Sequence, residues 1–221
     1  MTAEILAVAR HHVAEVGASS LSLRSVARDL EMAPSALYRY FDGRDALLSA
    51  LILSAYESLA TEAERAADRV AAEQGSLSDA ERWLVVPRAL RAWALGHPQE
   101  WGLIFGTPVP GYQAPEQTVE PYARIAGALV RPVVAAKDEG RLRPAGPSDT
   151  PAALAAAVAP IREGLFPDMP TETVVRVAAA WTTVVGSISL EVFGHWRNTV
   201  LDPAALFEAT MRDVAGSLGL A

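Results

Sequence analysis

The stretch "LSLRSVARDLEMAPSALYRYFDGRDALL", residues 21–48, decides how the chain is read. Ser22 is a candidate N-cap for a short helix ending at Leu30, residues 31–33 break it, and Pro34 suits the first turn of the next helix, where a backbone N–H would find no partner. That second helix is predicted to reach Phe41, and Asp42-Gly43 stops it. Two short helices joined by three residues meet the requirement of a helix-turn-helix, whose second helix lies in the major groove of duplex DNA. Spacing alone leaves an ordinary αα-hairpin open.

The tyrosines bear on that choice. Leu37 and Phe41 stand four apart and share one helix face, so Tyr38 and Tyr40 point outward. Beside Arg39 and Arg44 they suit phosphate contact, because a phenol donates a hydrogen bond without the entropy cost of a long side chain, and about half or more of protein–DNA hydrogen bonds go to the backbone. Arg44, opening a helix, adds charge where free N–H groups already favour an anion.

Composition bounds the partners. The 221 residues are 51% hydrophobic and 20% charged, enough for a sizeable buried core. A net charge of −7 excludes indiscriminate polyanion binding, so any DNA contact must be local. The first 50 residues carry five arginines and six carboxylates, which makes long-range steering weak. There is no cysteine, hence no disulfide, thiolate zinc site or cysteine nucleophile. No secretory leader pattern opens the chain, and the longest uncharged apolar run, residues 177–190, falls short of the roughly 18 residues a bilayer span needs. The expectation is a cytoplasmic protein with no membrane segment.

Apolar residues recur at intervals of three and four nearly throughout, and the alternation of half-buried strands is missing, so the fold is expected to be all-α. Helices are predicted over residues 3–17, with Ile5, Leu6, Ala9, Val13 and Val16 on one stripe, and over 44–71. Others cover 79–96, residues from Pro98 through Phe105, 151–166, 170–195 and 203–218. Between Tyr122 and Val133 the helical spacing continues, but Pro121 and Pro132 are expected to kink or subdivide it. Residues 74–78, 106–115 and 140–149 read as loops from their Pro, Gly and polar content.

Residues 21–52 resemble the DNA-binding domain of the TetR family of bacterial transcriptional regulators. The resemblance rests on Val26-Ala27, on Ala36-Leu37-Tyr38-Arg39-Tyr40-Phe41, and on Arg44 followed by Leu47-Leu48. It implies that Ser22 and Arg24 touch backbone or groove, that Ser35 with its neighbours Pro34 and Ala36 faces bases, and that Tyr38, Tyr40 and Arg44 hold phosphates. The family commonly has Gly in the turn where this chain has Glu31. It also implies a helix-turn-helix domain over residues 1–47 and a helical ligand-binding and dimerisation domain over 48–221. "HPQEWGLIFG" (97–106) and "AWTTVVGSISLEVFGHW" (180–196) resemble one C-terminal subclass marked by a Trp and a Gly-containing apolar helix.

Two helices near the C-terminus carry apolar residues around much of their circumference, and Val185, Ile188, Phe207 and Met211 are candidates for a two-fold four-helix dimer interface. Trp93, Trp101, Phe105 and Tyr122 are the candidate lining of a site for a small apolar or amphipathic effector, although aromatic stripes at helical spacing ordinarily fill cores. His97, His195 and Glu191 read as satisfied or rim residues, and adjacent His11 and His12 diverge on a helix, so no metal site is expected.

The chain has no G-x-S-x-G, P-loop, G-x-G-x-x-G or H-E-x-x-H motif, and its carboxylates form no evident pair. No catalytic residue and no cofactor is therefore assigned. The reading is a homodimeric repressor that binds double-stranded operator DNA and is released by a small molecule; the alternatives are a helical adaptor or scaffold and a small helical enzyme.

Overall fold

A computed structural model describes residues 1–72, 77–143 and 150–220. The described residues form helices and connecting turns with no strand, as the periodicity requires. In chain order the helices are α1 (Thr2–Val16), α2 (Leu23–Asp29), α3 (Pro34–Leu37), α4 (Arg44–Ala72), α5 (Asp79–Gly96), α6 (Pro98–Phe105), α7 (Val119–Asp138), α8 (Ala152–Leu165), α9 (Thr171–Val192) and α10 (Pro203–Ser217).

The chain divides into two compact units. The first comprises Met1–Ala60 and Gly96–Tyr122, the second Thr61–Leu95 and Ala123–Ala221. In the first unit α1 buries Ile5, Ala9 and Val13 against Val26 and Ala27 of α2, Leu37 of α3 and Leu47, Leu48 and Leu51 of α4. Leu37 is fully buried, and truncating it to Ala costs about 2–5 kcal/mol. Gly17 ends α1 with φ 80°, followed by a single 3-10 turn, Ala18–Ser20, that leads to α2. α1 also touches α6, and Tyr112, beyond α6, shares a hydroxyl hydrogen bond of 3.0 Å with Ser49 on α4.

In the second unit α9 lies against α8 and α10. Asp202 caps α10 by accepting the N–H of Ala205 at 3.0 Å. Ion pairs tie α5 to this group. Arg91 makes a two-point contact with Glu191 of α9 at 2.6 and 2.7 Å and lies over the ring of Phe207, while Arg212 of α10 reaches Glu81 at 2.6 Å. Glu208 pairs with both Arg88 and Arg212, and Arg88 chiefly holds its carboxyl below the usual range.

Several expectations shift on contact with the structure. α7 runs unbroken through both prolines: Pro121 stands in the first turn, where its missing N–H is one that has no helical partner, and Pro132 is accommodated inside the helix. α3 is shorter than predicted, since bonds of Tyr40 N–H and Phe41 N–H to Leu37 O close its end as tight turns. α9 stops at Val192 because Gly194 and Asn198 take positive φ (76° and 65°) in the turn that follows. Ser22 occupies the N-cap position in extended backbone, but its side chain makes no capping bond. The expected loops over 74–78 and 140–149 fall largely outside the described residues.

α9 is long and apolar enough to cross a membrane by length and composition, with mean hydropathy 1.4 over 18 residues. The uncharged run alone had suggested too short a span. About a third of the segment is buried within the chain, against α8 and α10.

Candidate nucleic-acid interface

The turn between α2 and α3 sets the geometry of this surface. Glu31 takes φ 55°, the left-handed backbone that usually calls for Gly, and two bonds hold it there: Glu31 N–H to Arg28 O at 3.0 Å and Met32 N–H to Ala27 O at 2.9 Å. The turn therefore keeps its form without glycine. Pro34 then opens α3, with Ala33 before it extended, as a residue preceding proline should be.

Around that turn the residues expected at DNA stand at the surface. Arg24, Pro34, Ser35, Tyr38, Arg39 and Tyr40 are exposed, and Ser22 and Ala36 are half-buried. Tyr38 and Tyr40 are 54% and 45% exposed while Leu37 and Phe41 are buried, so the two rings are surplus to the core and free to meet a partner. Around them Glu31, Asp42 and Asp45 are also exposed, which keeps the surface far from uniformly basic.

Arg44 sits differently from the expectation. Its guanidinium turns inward: one terminal nitrogen donates to the carbonyls of Ala18 and Ser19 at 3.1 and 3.2 Å, the other meets Asp45 at 3.1 Å, and Nε is buried without a hydrogen-bond partner among the described residues. It ties the connection between α1 and α2 to the start of α4. Sequence reasoning gave it a phosphate because the partners that occupy it lie 25 and 26 residues away.

The four expected effector residues divide between the two units. Trp101, Phe105 and Tyr122 belong to the first unit, Trp93 to the second. Within the first unit Trp101 and Phe105 tilt against each other with ring centroids 4.4 Å apart, and Tyr56 of α4 meets the edges of Phe105 and Tyr122 at 6.2 and 6.4 Å. Trp101 is buried, Tyr122 36% exposed. Burial, and then the neighbouring Tyr122, push the Tyr56 phenol above its ordinary range. Tyr56 was missed by sequence reasoning; its place four residues after Ile52 and three before Leu59, both buried, was the available signal.

Of the expected dimer residues, Ile188, Phe207 and Met211 are buried within the single chain, at 0%, 5% and 0% exposure, so almost no surface is left for a second copy to cover. Val185 is half-buried. The apolar side chains that do face outward are Leu154, Ile161 and Leu165 of α8, Leu190 of α9 and Leu206 of α10. A cavity of about 380 Å³ in the second unit lies between α4, α5 and α7, and its rim charges satisfy one another, Arg141 gripping Asp79 with two bonds of 2.9 Å.

A short helix pair with an outward aromatic and basic recognition segment, carried by an all-helical chain, defines a helix-turn-helix regulator. Comparison with known proteins agrees. Residues 5–51 match the family described as bacterial regulatory proteins, tetR family, and residues 83–214 match the tetracyclin repressor-like C-terminal domain. The chain is 36% identical over 212 residues to the HTH-type transcriptional regulators Rv1816 of Mycobacterium tuberculosis and Mb1846 of Mycobacterium bovis, covering 95% of this chain and 88% of each relative. The crystal structure of the regulatory protein SCO4313 superposes with a TM-score of 0.79 at 37% identity, covering 97% of this chain and 95% of that one. The chain belongs to the TetR family of transcriptional regulators.

Proposed function

We propose that the protein is a cytoplasmic, dimeric repressor that binds a two-fold symmetric operator through residues 1–47 and is released when residues 48–221 take up a small apolar or amphipathic effector. The observation that carries the DNA half is the pair of exposed tyrosines, Tyr38 and Tyr40, between the buried Leu37 and Phe41. Ser35, with Pro34 and Ala36, meets base edges in the major groove. Ser22, Arg24, Tyr38 and Tyr40 hold phosphates or the groove wall, and Arg44 acts by holding the loop beneath them.

The effector reading is supported by Tyr56, Phe105 and Tyr122, whose rings meet edge to face and bring two phenols to an apolar cluster, chemistry suited to an amphipathic molecule. Trp101 packs against Phe105 with ring centroids 4.4 Å apart. The dimer reading is supported by the outward Leu154, Ile161 and Leu165 of α8 and Leu190 of α9, the helix that also carries the half-buried Val185, since two helices from each copy would enclose them in a four-helix bundle.

Capture of sheared genomic DNA by the purified protein, followed by sequencing, tests the proposal. Enriched fragments sharing an inverted repeat with half-sites about one helical turn apart are expected. Recovery indistinguishable from that of a Tyr38→Ala/Tyr40→Ala variant would refute it.

A further inference from the structure

Beneath the DNA-facing residues lies a polar contact that neither phosphate binding nor base reading uses. His12 of α1 is 8% exposed, and its Nε2 lies 2.6 Å from Oδ2 of Asp29, the last residue of α2. The other carboxylate oxygen accepts Nε–H of Arg28 at 3.2 Å. An ionised carboxylate only accepts, so Nε2 carries the proton of this bond. Neighbouring His11 turns away to Glu15 at 3.2 Å.

The rest of the contact between α1 and α2 is apolar, with Ile5, Ala9 and Val13 against Leu23, Val26 and Ala27. Such contacts resist separation but tolerate small slides and rotations, because they lack direction. A hydrogen bond has direction. This one fastens α2 at its final residue, two positions before the left-handed Glu31 and five before Pro34. The short turn beyond Asp29 has little freedom of its own, since Glu31 and Met32 are bonded back to Arg28 and Ala27. Whatever angle α2 keeps against α1 is passed to α3.

We infer that His12 and Asp29 are positioning residues for sequence reading: their bond fixes α2 on α1 and thereby the register in which α3 meets base edges. The inference rests on the DNA-binding reading above. Base contacts demand close alignment in the groove, whereas tyrosine and arginine contacts to phosphate follow small displacements of the helix. Loosening the bond therefore lowers affinity for the right sequence and leaves general DNA affinity alone.

The test measures affinity of the full-length protein, at one salt concentration, for the duplex recovered from a random pool and for a shuffled duplex of the same composition. His12→Leu and Asp29→Ala should weaken binding to the recovered duplex about tenfold, in the range of a single lost base contact, while binding to the shuffled duplex stays within about twofold. His12→Gln, whose amide nitrogen reaches much the same point as Nε2, should restore the ratio, and the shorter His12→Asn should not. If a variant is partly unfolded, affinities for both duplexes fall together; the comparison of the Gln and Asn variants then decides. Equal ratios in those two, or an unchanged ratio in His12→Leu and Asp29→Ala, would overturn the inference. A parent protein that prefers no duplex would instead overturn the DNA-binding reading itself.

Discussion

Glu31 holds a left-handed backbone that costs a residue with a Cβ about 1–2 kcal/mol. Replacing it with Gly removes that penalty, partly offset by the greater freedom of the unfolded chain, and should stabilise the protein by about 0.5–1 kcal/mol in denaturant titrations. Tyr38 and Arg44 should separate from each other in the same kind of work. Tyr38→Ala should leave the unfolding midpoint unchanged and weaken all duplexes by about fivefold, the worth of one hydrogen bond near 1 kcal/mol. Arg44→Ala should instead lower stability by about 1–2 kcal/mol, because two carbonyls lose their donor, and its effect on the salt dependence of binding should be small. Asp29 gives a pH signature. The hydrogen bond from His12, then that from Arg28, holds its carboxyl below the ordinary value, so the stabilisation is present above the unfolded-state pKa near 4 and is lost as pH falls through the lower folded value. Thermal unfolding between about pH 5 and pH 2 should show the parent losing more stability than Asp29→Asn. The outward tyrosines were legible in the sequence, since a four-residue interval between Leu37 and Phe41 fixes the helix face. The His12–Asp29 bond and the inward turn of Arg44 were not, because each joins residues far apart in the chain and local pattern carries no trace of that pairing.

At the scale of elements, punctuation made the helices readable. Gly17, Pro34, Pro98 and Pro203 mark real boundaries, because each either frees the backbone or removes a donor at a helix end, while Asp42-Gly43 precedes α4 and does not end α3, which stops at Leu37. Proline misled in α7 for the same physical reason: Pro121 sits where no donor is needed, so it begins the helix rather than breaking it. The faces of α9 and α10 were harder. Helical spacing shows that Ile188, Phe207 and Met211 share apolar faces, but the partner of such a face, another helix of the same chain or a second copy, is decided by tertiary packing. The outward residues of α8 carry the dimer expectation. Ile161→Arg should place a charge without a partner in the proposed bundle, at a cost of several kcal/mol, and light scattering should report a monomer. A dimer of parental mass in that variant would send the interface elsewhere.

For the whole molecule, net charge sets how DNA is approached. A chain of net charge −7 gains little from long-range attraction, so its affinity for unrelated duplex should be weak, with a dissociation constant above about 10⁻⁵ M near physiological salt, measurable by anisotropy. On the proposed reading its discrimination comes from contacts made at close range by α2 and α3. The TetR family was legible from residues 21–52, because the motif is local and its aromatic end is unusual for a core helix. The aromatic cluster was legible in part: Phe105 and Tyr122 stood out in the sequence, but Tyr56 joins them from a separate segment, and their meeting is a product of the fold. The most direct measurement is selection of bound duplexes from a random pool by the parent protein and by Tyr38→Ala/Tyr40→Ala in parallel. Convergence of the parent on an inverted repeat with half-sites about one helical turn apart, with the double variant recovering less DNA in every round, is the predicted result. A parent pool that stays random after repeated rounds would contradict the central claim that residues 34–41 read DNA.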